Sequence, residues 1–149
     1  MSTYSEEVQT KLNNILEKTY DAEKGFKKAA EHAKSTDLKT FFKRKADERY
    51  SFGHDLKTEI VRYGQDFEKG GSTTGAMHRS WMDVKAWFSA DNDEAMLEEA
   101  ITGEKAAIDE YREVLKEVSL PSSTTTLLTQ QMNKISTDLN NIKIVEDAL

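Results

Sequence analysis

The sequence predicts an all-α protein: four long helices packed as a bundle, with one long crossover that carries a short extra helix. Three observations predict it. Apolar residues recur at spacings of three and four in four separate stretches, the period of a helix with one buried face. The only proline, Pro121, lies between two of those stretches and breaks none of them. The links between stretches are short, long and short in turn. The 149 residues suit a single domain, 1–149, with a sizeable core.

The first helix is read from about Tyr4 to Ala33, because Val8, Leu12, Ile15, Thr19, Ala22, Phe26, Ala29 and Ala33 share a face. Lys34-Ser35-Thr36-Asp37 is a turn rich in helix-capping residues, and so short a link makes the next helix an antiparallel neighbour. The second helix, from about Leu38 to Tyr63, buries Leu38, Phe42, Lys45/Ala46, Arg49, Phe52, Leu56 and Ile60, and Gly64 stops it. Residues 65–90 form the crossover. It begins with the glycine-rich run Gly70 to Gly75 and continues as a short amphipathic helix with Met77, Trp81, Val84 and Phe88 on one side. Acidic and capping residues at Asp91-Asn92-Asp93-Glu94 start the third helix, whose stripe is Leu97, Ile101, Glu104, Ile108, Tyr111, Leu115 and Val118. Pro121 belongs in the first turn of the fourth helix, which aligns Leu128, Gln131, Ile135, Leu139, Ile142 and Val145. Short, long and short links are the connectivity of ferritin-like bundles.

Composition removes several function classes. There is no cysteine, so thiolate catalysis, zinc–cysteine sites and iron–sulfur clusters are excluded. A net charge of -6 with lysine and arginine spread evenly argues against a nucleic-acid partner. No apolar run approaches the ~20 residues that span a bilayer, and the first residues lack a secretory pattern, so a cytoplasmic protein without a membrane partner is expected. Self-association as a homo-oligomer is left open.

Each of the four stripes is interrupted by a polar side chain: Glu23, Arg49, Glu104 and Gln131. Counted from one end of the bundle at ~1.5 Å per residue, all four fall within roughly 9 Å of one level. Two readings of that level stand side by side. In the first, Arg49 bridges Glu23 and Glu104 while Gln131 and Tyr111 take the remaining hydrogen bonds, since a guanidinium offers five donors in a planar fork. In the second, Asp21, Glu23, Glu48 and Glu104 form a carboxylate-only site for iron or manganese. The usual ferritin-like di-iron site needs Glu-x-x-His pairs. None of His32, His54 and His78 has a glutamate three residues before it, so that site is absent. Arg49 also opposes a metal ion at the same level, since like charges repel strongly in a buried setting.

A third candidate lies in the crossover, where His78, Arg79 and Trp81 could take an anion or small molecule at a helix N-terminus. The structural alternative is that Trp81 anchors the crossover over the bundle. No Ser-His-Asp or Cys-His arrangement can be proposed.

The chain resembles a bacterial ferritin-like four-helix-bundle family labelled domain of unknown function 2383. The residues that carry the resemblance are Asp21-x-Glu23-x-Gly25-Phe26-x-x-Ala29-Ala30, Arg49 with Leu56, Gly64, Gly75-x-x-His78-Arg79-x-Trp81, Gly103-Glu104 with Tyr111, and Leu120-Pro121 with Gln131. The resemblance implies a bacterial, cytoplasmic, ferritin-like bundle and no particular activity. The expectation is a non-enzymatic bundle with an interaction or stress-related role. The alternatives are the iron or manganese protein and the crossover binder.

Overall fold

The computed structural model describes residues 6–62, 93–116 and 120–147. They form four helices: α1 (Glu6–His32), α2 (Thr36–Arg62), α3 (Asp93–Leu115) and α4 (Ser122–Asp147). No strand occurs among the described residues. None of these helices is long and apolar enough to cross a membrane. The expected crossover helix and the cluster of His78, Arg79 and Trp81 lie outside the described residues.

Local chemistry sets the helix ends. Ser35 caps α2: its Oγ accepts the Leu38 N–H at 3.3 Å and its carbonyl accepts the Lys39 N–H at 2.9 Å. Pro121 stands one place before α4 rather than inside its first turn. Its carbonyl accepts the Thr125 N–H at 3.0 Å, so it serves as the cap residue, a position that needs no N–H of its own.

Two carboxylates orient the hairpins. Asp93, the first residue of α3, accepts the backbone N–H of Lys34 at 2.9 Å and of Ser35 at 2.7 Å. The start of α3 therefore sits beside the α1–α2 turn. At the opposite pole Glu59, near the end of α2, accepts the hydroxyls of Ser123 and Thr124, both at 2.7 Å. The start of α4 therefore lies beside the end of α2. Packing joins α1 with α2, α3 with α4, α2 with α4 and α1 with α3, which leaves α2 and α3 on one diagonal. Each neighbouring pair is antiparallel.

The core falls into two apolar clusters. One, toward the α1–α2 turn, gathers Phe26, Ala29, Leu38, Phe42, Leu97 and Ile142 among others. The other, toward the far pole, includes Leu12, Leu16, Phe52, Leu56, Ile108 and Ile135. All eight stripe residues expected on α1 are buried, as are all those on α2. On α3 the buried face is turned slightly from the expected one: Ala100 and Val114 point inward, while Ile101 and Leu115 are only half-buried. Val118 and the side chain of Val145 lie outside the described residues.

Candidate functional site

The gap between the two clusters is where the chain places its buried charges. On α2, Arg49 follows Ala46 of one cluster and precedes Phe52 of the other. On α3, Glu104 lies between Ala100 and Ile108 in the same way. Both are 3% exposed. Arg49 grips both carboxylate oxygens of Glu104: Nη2 donates to Oε1, and Nη1 donates to Oε2 at 3.3 Å. The bidentate geometry is the one a guanidinium suits best. Burial works to lower the Arg49 pKa, but the Glu104 carboxylate outweighs it and holds the guanidinium above its ordinary value. The rings of Phe26 and Phe52 lie 5.6 and 5.7 Å from the guanidinium carbon.

Lys45, one turn before Arg49, is the centre of the arrangement. It is 0% exposed, the most deeply buried cation of the described residues. Three carboxylates from three helices converge on its Nζ: Glu48 at 2.6 Å, Asp138 of α4 at 2.7 Å and Glu104 at 3.0 Å. Its ammonium offers three N–H donors to those three acceptors. The layer is thus two cations and three carboxylates from α2, α3 and α4, closed by a weaker Arg49–Glu48 contact at 3.5 Å.

A second polar pair lies deeper toward the far pole. The Tyr111 hydroxyl donates to Gln131 Oε1 at 2.7 Å, and Gln131 Nε2 donates to the Phe52 carbonyl at 3.3 Å. Burial pushes the Tyr111 phenol well above its ordinary value, so it remains a neutral donor. Gln131 and Tyr111 therefore satisfy each other rather than completing the Arg49–Glu104 pair.

Glu23 is not in the layer. It pairs with Lys27, one turn along α1, at 2.8 Å. The reason is its place on the edge of the stripe: the inward position belongs to Phe26, whose ring covers Arg49. The inner α1 residue between the two clusters is Thr19, buried with its hydroxyl donated to the Ile15 carbonyl at 2.8 Å.

Of the four proposed metal ligands only Glu48 and Glu104 come together, and they do so around the Lys45 ammonium. Glu48 and Glu104 face Lys45, Glu23 faces Lys27, and Asp21 lies half-buried on α1. Among the described residues no group of three or more His, Asp or Glu side chains is arranged to hold a metal ion. The place where three carboxylates do converge already holds an ammonium.

Lys45 and Asp138 are the site residues that the sequence reading missed. Lys45 shares one place of the α2 stripe with Ala46 in the sequence pattern; its spacing of four from Arg49 was the available signal. Asp138 lies three residues beyond Ile135, one step from Leu139, at the edge of the α4 stripe.

Beside the layer, between α1 and α3, lies a cavity of about 380 Å³, lined by Ala22, Gly25, Phe26, Ala100, Gly103 and Glu104 among others. A Cβ placed on Gly103 would meet nothing within 4 Å. Gly103→Ala is therefore expected to stabilise the protein by about 0.5–1 kcal/mol, the usual gain for filling an unhindered helix-interior glycine. The check is the shift of the urea midpoint, and a loss of stability would show that something packs against that position.

A family model described as domain of unknown function (DUF2383) matches residues 7–117, spanning α1 through α3. No curated protein and no solved structure matches the chain.

Proposed function

The chain belongs to the family described as domain of unknown function (DUF2383), and from that premise we propose a non-enzymatic helical bundle whose buried ion layer is a structural clamp. The observation that carries this reading is that Lys45 and Arg49 between them engage Glu48, Glu104 and Asp138. A carboxylate held in two or three charge-assisted bonds is a poor base and is already occupied as a ligand. The short–long–short connectivity supports a ferritin-like arrangement, and the family resemblance supports a bacterial, cytoplasmic setting. The role is interaction or stress-related assembly, by fold-level analogy.

The test separates this reading from the iron or manganese protein. Purified protein is given Fe(II) in air, or Mn(II), then desalted and analysed for bound metal and oxidation rate. The expected result is no stoichiometric metal and no oxidation above the protein-free rate. Stoichiometric metal that disappears in Glu104→Ala would overturn the proposal.

A further inference from the structure

Among the groups in direct ion-pair contact, carboxylates outnumber cations by one, and the exposed Arg44 adds only its attraction for Asp138. Lys45 and Arg49 are two cations, whereas Glu48, Glu104 and Asp138 are three carboxylates. Glu48 and Asp138 crowd one ammonium in a place only partly open to water, and carboxylates so crowded relieve their repulsion when one takes a proton. The geometry selects which one does so. Glu104 is gripped by both cations, with Arg49 bonded to both its oxygens. Asp138 holds Lys45 at 2.7 Å and also feels Arg44. Glu48 shares Lys45 with the other two and reaches Arg49 only at 3.5 Å. Among the charged groups, Lys45, Arg49 and Arg44 face this spot from α2, Glu104 from α3 and Asp138 from α4, while α1 covers both cations with the Phe26 ring.

We propose that the layer is a one-proton switch: Glu48 holds a proton across the α2–α4 seam and donates it in a hydrogen bond to Asp138, and losing that proton loosens the seam. This rests on the structural reading of the layer given above. Burial raises the Glu48 carboxyl above the ordinary range, with Lys45 working against it. Burial works to raise Asp138 as well, but its bonds from Lys45 and Glu48 outweigh that and hold it low. A carboxyl whose folded pKa is raised contributes stability that is fully present below its unfolded value. That stability is lost as pH rises through the folded value. The seam is therefore tightest on the acid side of the Glu48 titration and weaker on the alkaline side.

Carbon-detected NMR of the intact protein can follow the Glu48 carboxyl directly. Its midpoint should lie above the ~4.3 of an ordinary glutamate. In Asp138→Asn, which leaves two cations against two carboxylates, it should fall back toward that value. Thermal melts of the parent and of Glu48→Gln, a permanent mimic of the protonated acid, should coincide on the acid side. They should separate as pH rises, with the parent melting lower. A Glu48 midpoint at or below the ordinary value, or parallel melting curves, would overturn the switch. The clamp itself would survive that result, because it is tested by removing Lys45 or Arg49.

Discussion

Lys45→Met is expected to destabilise the folded protein by about 3–5 kcal/mol, the range for removing one partner from a buried ion cluster. Methionine keeps the length and apolar stem of lysine, so packing beside Phe26 changes little and the effect reports the charge. Without the ammonium, Glu104 and Glu48 keep only Arg49, and Asp138 loses its ion-pair partner. The buried Glu104 then shares a single cation with Glu48. The measurement is the denaturant midpoint with an unchanged slope, which isolates stability from any change in compactness. An unchanged midpoint would mean that the cluster does not clamp the helices. Lys45→Arg is not a conservative swap either, because a compact ammonium fits three converging acceptors and a flat fork does not.

Arg49→Leu is the companion case, and its partner decides the outcome. Alone it should also cost about 3–5 kcal/mol, since one cation then faces three carboxylates. Combining it with Glu104→Leu leaves one cation against two carboxylates, the same excess charge as in the parent. Leucines on α2 and α3 would also join the two apolar clusters that the layer now divides. The double variant should therefore be clearly more stable than Arg49→Leu, a coupling read from a double-mutant cycle. Two additive losses would contradict the pairing of these side chains.

The fold was largely legible because helical periodicity is a repeated signal. Seven positions on α1, Ala33 just beyond its end and the full stripe on α2 point inward as spacing alone requires. The layer was legible in part, for a geometric reason. Successive residues turn by about 100° around a helix, so a polar residue in mid-stripe must face inward, whereas one at the border can swing either way. Arg49 and Glu104 are mid-stripe and meet. Glu23 is at the border and swings to Lys27. Asp138 is also at a border and swings inward, because Lys45 is there to receive it. Which border residue turns in depends on its partner across the bundle, and that partner belongs to another helix. Lys45 was hidden by its own chemistry: a long aliphatic stem fits an apolar stripe, and only its neighbours reveal where its charge rests.

Asp93 and Glu59 give the molecule an uneven flank. Asp93 ties the start of α3 to the α1–α2 turn at one pole, Glu59 ties α2 to α4 at the other, and Lys45 with Asp138 adds a second α2–α4 stitch midway along. On the α1–α3 side the ion pair of Lys18 with Glu110 is half-exposed and sits beside the cavity. Breathing of the bundle should therefore open at the cavity between α1 and α3, away from the turn that Asp93 holds, while α2 and α4 stay together.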